Sequence, residues 1–249
     1  MTVSRKFLKI IGLMSGTSLD GIDASLVKTN GVQLERTKYF GIFKYDNITL
    51  SQLEKAVNKE IFDQNIPLIK ELNDSISYQH FLAVKKILQD CPLKPDLIGY
   101  HGHTLYHNPK ERISLQLGNR QLLSNLLNIP VVSDFRQNDI DYGGEGAPLA
   151  PIYHKLLIEN LNLKLPSAII NIGGIANISI WNGKDLISFD TGPGNSLLNY
   201  YSKKLFNKEY DHNGAIASQG NINNNLLDNF LKHNYFSKEY PKSAERSIF

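Results

Sequence analysis

Residues 8–28, LKIIGLMSGTSLDGIDASLVK, place two apolar runs, Ile10 to Met14 and Ala24 to Val27, on either side of a polar insert, SGTSLDGID. Short apolar runs bounded by glycine and hydroxyl residues read as strands joined by a turn. A chain reversal needs only a glycine or an asparagine, yet this insert carries two serines, a threonine, two glycines and two aspartates. Backbone N–H groups in glycine-rich turns form anion-binding concavities, and the hydroxyls of Ser15, Thr17 and Ser18 add donors. Asp20 and Asp23 are hard oxygen ligands suited to Mg²⁺. The turn is therefore either a phosphate cradle or an ornate hairpin.

Working outward, Asn30-Gly31 is a hairpin signal, and TKYFGIFKY supplies a third strand, so the chain opens as a three-stranded antiparallel meander. Leu53, Ala56, Val57 and Ile61 recur at helical spacing, as do Leu68, Leu72, Ile76, Phe81, Val84 and Leu88 after Pro67. PDLIGYHGHT reads as a short buried strand running into a His/Gly loop. ISLQLGN is a strand, Leu122, Leu123, Leu126 and Leu127 mark a helix, and IPVVSDF is a strand ending in charges. The Gly/Pro-rich DYGGEGAPLAP marks either a hinge or the entry to a second domain, and the expected division is 1–146 and 147–249. There SAIINIGGIANISIWNG repeats strand–turn–strand, LISFD is a strand and TGPGN a loop. Leu197, Leu198, Tyr201 and Leu205 open a helix, and Ile222, Leu226, Phe230 and Leu231 share a face of the last one. This order predicts an α/β fold with a mixed sheet and flanking helices. The second domain, which lacks the strand–helix repeats of the first, reads as incomplete.

The 249 residues are 41% hydrophobic and 20% charged, ordinary for a globular protein. A formal charge of +3 with dispersed Lys and Arg gives no footprint for nucleic acid. Cys91, the only cysteine, makes neither an internal disulfide nor a metal cluster. The apolar run near the start is short, is broken by Lys9 and leads into the polar turn, unlike a secretion signal. A cytoplasmic protein with no membrane partner is the expectation.

G-x-x-x-x-G-K-[ST], G-x-G-x-x-G, zinc spacings and the G-x-S-x-G elbow are all absent. What remains is a series of glycine-bearing polar stretches after apolar strands: 14–23, HGHT at 101–104, SDFRQND at 133–139, GGEGAP at 143–148, NIGGIAN at 171–177 and FDTGPGN at 189–195. In α/β proteins ligands bind beyond the carboxyl ends of strands. Two polar β-turn-β units, the second at 171–177, are suited to gripping a polyphosphate from both sides. Asp190, at the end of LISF, is either a general base or an N-cap or Asx-turn residue before the next helix. Arg136 either grips a carboxylate or phosphate bidentately or pairs with Asp134 or Asp139. His101 and His103 read as hydrogen-bonding residues rather than metal ligands, since no third ligand has suitable spacing.

Taken in order, GLMSGTSLDGID, HGHT, DFR…D, GGEGAPLAP, NIGGIAN, FDTGPGN and PKS resemble the anhydro-N-acetylmuramic acid kinase family, from about residue 10 to the last residue. The resemblance implies an actin-like, ribonuclease H-like ATPase fold of paired α/β domains. It implies a cytoplasmic enzyme of cell-wall recycling that uses ATP and Mg²⁺ to open an anhydro amino sugar and phosphorylate its O6. It assigns Asp190 as the catalytic base. Gly16, Thr17, Ser18, Leu19, Asp20, Gly21, Ile22 and Asp23 correspond to the ATP phosphate loop, joined by Gly173, Gly174 and Asn177. His101, Gly102, Thr104, Arg136, Gly192 and Asn195 fall on the sugar side. A homodimer is the assembly it implies. The chain departs from the family's pattern at His103, Gln137, Asn138, Glu145, Ala244 and Glu245, and the family continues beyond this sequence. Those departures motivate the alternative expectation, a catalytically impaired remnant that acts at most as a sugar-binding or interaction module.

Overall fold

A computed structural model describes residues 6–16, 19, 21–58 and 67–244. The chain divides into two compact units, Met1–Gly146 and Ala147–Phe249.

In the first unit, β1 (Leu8–Ser15), β2 (Ile22–Thr29) and β3 (Leu34–Phe43) form an antiparallel meander. Alternation sets its faces: Ile11, Leu13 and Ser15 are buried on β1, and Ile22, Ala24 and Leu26 on β2. The chain then passes through α1 (Asn47–Asn58) and α2 (Pro67–Leu88) to β4 (Leu97–Asn108), which runs parallel to β1. Ile69, Leu72, Ile76, Val84 and Ile87 recur at the three-and-four spacing that puts one stripe of α2 into the core. There they meet Ile11, Leu13, Ile98 and Tyr100 on the sheet side and Leu53 and Ala56 of α1. β5 (Ile113–Leu117) pairs antiparallel with the far half of β4, and α3 (Arg120–Leu127) leads to β6 (Val131–Ser133), parallel to β4. The sheet order is β3-β2-β1-β4-β5, with β6 also on β4, so the sheet is mixed and flanked by helices.

One expectation is corrected. HGHT is not a loop: β4 continues through it to Asn108. Gly102 makes this possible. Its φ of 71° lies in the left-handed region that favours glycine, and a Cβ there would overlap the Leu117 carbonyl oxygen. One edge of the strand thereby passes from β6 to β5, while β1 stays paired on the other as far as His103.

In the second unit, α5 (Pro151–Asn160) packs on the antiparallel sheet β7 (Ser167–Ile172), β8 (Ile175–Trp181) and β9 (Leu186–Pro193). A short α4 (Gln137–Asp141) precedes it in the first unit; α6 (Asn195–Phe206) and α7 (Asn224–Leu231) follow. A second expectation is corrected: TGPGN is not a loop from its start, because β9 continues through Thr191, Gly192 and Pro193 and Asp190 therefore lies inside the strand. Among the described residues no helix is long and apolar enough to cross a membrane.

Candidate active site

The turn between β1 and β2 closes through Leu19 N–H, which donates to Gly16 O at 3.1 Å with Leu19 at a φ of 61°. Thr17, Ser18 and Asp20, three of the expected phosphate or metal contacts, lie outside the described residues. Gly21 packs tightly on the end of β3, where a Cβ would stand 2.8 Å from Phe43 O. Leu19 packs against the apolar cluster in which Ile22 is buried, so neither side chain faces a ligand, and among residues 19, 21 and 22 it is the backbone that suits a phosphate. Asp23 projects from the opposite, exposed face of β2.

Behind this turn stands a group of buried rings. His101 Nδ1 donates to Gly102 O at 3.0 Å, and its Nε2 accepts Arg136 Nε–H at 3.0 Å. That pattern requires the neutral imidazole. Burial, reinforced by the Arg136 charge, accordingly lowers the His101 pKa to about 4. Arg136 also donates through Nη1 to Gly146 O at 2.7 Å, and Asp139 Oδ2 accepts Gly146 N–H at 2.7 Å. Arg136 and Asp139 thus fasten the GGEG segment to β4. His103, beside Ser15 in register, is fully buried, and neither ring nitrogen has a partner among the described residues. Burial first, then His80 and His101, depress its pKa to about 3. Thr104 sits next on β4, opposite Gln116. Gln137 is committed to the fold: its Nε2 donates to Arg112 O and to Asp141 Oδ1.

In the second unit Asp190 is buried on β9, opposite Asn177 of β8. It is not a helix cap: the residue preceding α6 is Gly194, and no side chain caps that helix. Instead Asp190 Oδ2 accepts Ala244 N–H at 2.9 Å, its own N–H donates to Lys242 O at 3.1 Å, and its carbonyl accepts the Tyr235 hydroxyl at 2.8 Å. The PKS segment and a fully buried tyrosine therefore fix the part of β9 that carries the carboxylate. Glu245 lies outside the described residues. Asn177 Oδ1 is buried and without a partner among the described residues. Gly192 pairs with Ala176. The turn at Gly173 and Gly174 faces α6: Gly173 O accepts Asn195 N–H at 2.7 Å, and Gly174 O accepts Gly194 and Ser196 N–H. Those three donors at the start of α6 are consequently occupied. Asn195 Nδ2 donates to Ile172 O.

Sequence reasoning did not single out Tyr235 or the His154–Ser179 pair, joined Nδ1 to Oγ at 2.8 Å beneath α5. Neither stands in a glycine-bearing stretch, and both are defined by contacts distant in sequence.

Sheets flanked by helices, with glycine-bearing polar segments along and after their strands, define an α/β protein. The chain belongs to the anhydro-N-acetylmuramic acid kinase family, whose family model matches residues 8–249. It is 41% identical over 236 residues to the anhydro-N-acetylmuramic acid kinase of Pelagibacter ubique, covering 90% of this chain and 63% of that protein. The enzyme of the same name from Rhodopseudomonas palustris is 38% identical over 247 residues, 96% of this chain and 67% of its own length. The chain thus spans about two thirds of the length of these relatives. Among solved structures, an exopolyphosphatase-like protein aligns over 75% of this chain and 51% of its own at 10% identity and a TM-score of 0.37.

Proposed function

We propose that the protein acts as an ATP-dependent kinase that opens the 1,6-anhydro ring of anhydro-N-acetylmuramic acid with water and phosphorylates the freed O6. The observation that carries this reading is Asp190, a buried carboxylate held within β9 by Ala244 N–H, with Asn177 Oδ1, unpartnered among the described residues, on the neighbouring strand. In this reaction Asp190 takes a proton from the water that attacks the anomeric carbon. The bond from that carbon to O6 breaks, O6 takes the γ-phosphoryl group, and ADP leaves. A positioned general base contributes about 10²–10⁴-fold to such a step.

Phosphoryl transfer depends chiefly on positioning and charge neutralisation, which suits the backbone of the Gly16–Asp23 turn and the donors of Thr17 and Ser18. Mg²⁺ is held by one or two carboxylates plus substrate phosphates, and no group of three or more potential ligands gathers among the described residues. Asp23 fits that limited demand, with Asp20 as its companion. The ion would neutralise phosphate charge.

The test supplies the chain with ATP, Mg²⁺ and the anhydro sugar, alone and mixed with the remaining third of the Pelagibacter relative. N-acetylmuramic acid 6-phosphate formed only with ATP is the expected product. Ring opening that ignores nucleotide would make the protein a hydrolase, and no product in either mixture would overturn the proposal. The commitment of Gln137 to the fold favours one second reading, a module that binds the sugar without turnover. Sugar binding with no product in both mixtures would establish it.

A further inference from the structure

The first unit contains a cavity of about 560 Å³ where the parallel pairing of β4 and β6 ends, at Tyr100 and Ser133. Its walls come from α2, β4, β5, the start of α3 and the residues just after β6. The volume suits one small ligand, and the position beyond parallel strand ends is where α/β proteins take theirs. His101 and Gly102 line it, together with the side chains of Asn73 and Gln116.

Two cations also line this cavity, Lys70 and Arg120. Arg120 Nη1 makes one long hydrogen bond, to Ser133 Oγ at 3.3 Å. A guanidinium has five donors in a planar fork, so Arg120 retains the geometry for a bidentate grip on a carboxylate. Lys70 forms no salt bridge among the described residues. Arg136, the residue whose sequence context suggested anion binding, instead uses Nε and Nη1 on His101 and Gly146. Asp134, at a φ of 65° and next in the chain to Ser133, also lines the cavity and offers acceptors for ligand O–H or N–H groups.

We propose that this cavity is the subsite for the acidic arm of the substrate, with Arg120 gripping its carboxylate, Lys70 adding charge and Asp134 accepting sugar hydroxyls. The inference rests on the proposed acidic amino-sugar substrate, and assigns its charge recognition to residues other than those after Arg136.

Calorimetric titration of the purified chain tests it with two ligands: the anhydro amino sugar bearing the carboxylate arm, and the neutral anhydro amino sugar lacking it. The native protein is expected to bind the acidic sugar more tightly. Arg120→Ala should weaken the acidic sugar about tenfold, the scale of one charge-assisted contact, and leave the neutral sugar unchanged. Arg120→Lys should restore part of the loss. Because Arg120 is exposed, an unchanged melting temperature will show that the variants fold. Equal weakening of both sugars, or of neither, would overturn the assignment of Arg120 while leaving the kinase proposal standing. Failure of the native chain to bind either sugar would overturn the subsite, while the kinase proposal stands or falls with product formation in the mixture that contains the remaining third.

Discussion

Protonation of buried histidines will make the first unit sensitive to mild acid. Burial lowers His80 and His101 to about 4 and His103 to about 3, from an ordinary value of 6.5. His101 and His80 add to the effect on His103, and Arg136 and His107 to that on His101. Between pH 6.5 and pH 4 the unfolded chain binds protons at these positions and the folded chain does not. Stability therefore falls as pH falls through that window, is unaffected by these groups above it, and loses nothing more from them below about pH 3. One pKa unit is worth about 1.4 kcal/mol, so at pH 5 each histidine costs about 2 kcal/mol and the three together about 6. That is comparable with the whole stability of a typical domain, about 5–15 kcal/mol. Urea unfolding followed by circular dichroism from pH 7.5 to pH 5 measures the loss. His103→Gln removes one of the three ionisations while keeping a polar side chain of similar reach. Its stability relative to the native protein should rise by about 2 kcal/mol across that range, whatever the difference at pH 7.5. Identical pH dependence in the two proteins, or a flat profile in the native one, would refute the reasoning.

Gly194→Ala would place a Cβ against Gly173 O and disturb the three N–H donors that the 173–174 turn receives. A loss of about 3 kcal/mol is expected from overpacking and weakened hydrogen bonds, read by the fluorescence of Trp181, the chain's only tryptophan. Asp139→Ala leaves Gly146 N–H without its acceptor. It should cost about 1–2 kcal/mol in thermal unfolding and loosen the segment that anchors Arg136. Asn177→Ala should slow product formation with little change in nucleotide dissociation constant, since its buried Oδ1 stands across from Asp190.

The opening meander was legible because its signals are local. Ile11, Leu13 and Ser15 alternate inward, and Asn30 Oδ1 closes the hairpin by accepting Val32 and Gln33 N–H. β4 was cut short in the sequence reading because glycine and histidine look like punctuation, whereas Gly102 is a bend inside a continuing strand. α5 received no assignment: its buried face is Pro151, His154 and Ile158, and the histidine is buried through Ser179 rather than through apolar character. Asp190 stood out as a carboxylate after the apolar LISF, but β9 continues past it to Pro193, and the Tyr235 and Ala244 bonds that fix it join residues 45 and 54 positions apart. The cavity around Arg120 draws its walls from four separated segments. In sequence, LGNRQ announces only the start of a helix.

The central claim is that Asp190 is the base that couples ring opening to phosphorylation. Asp190→Asn keeps the size of the side chain and an acceptor for Ala244 N–H while removing the proton acceptor. Assayed with ATP, Mg²⁺ and the anhydro sugar under the conditions in which the native sequence forms product, the variant should lose ring opening and phosphorylation together, by about 10²-fold or more, with ATP binding intact. Retention of either activity at the native rate would contradict the account.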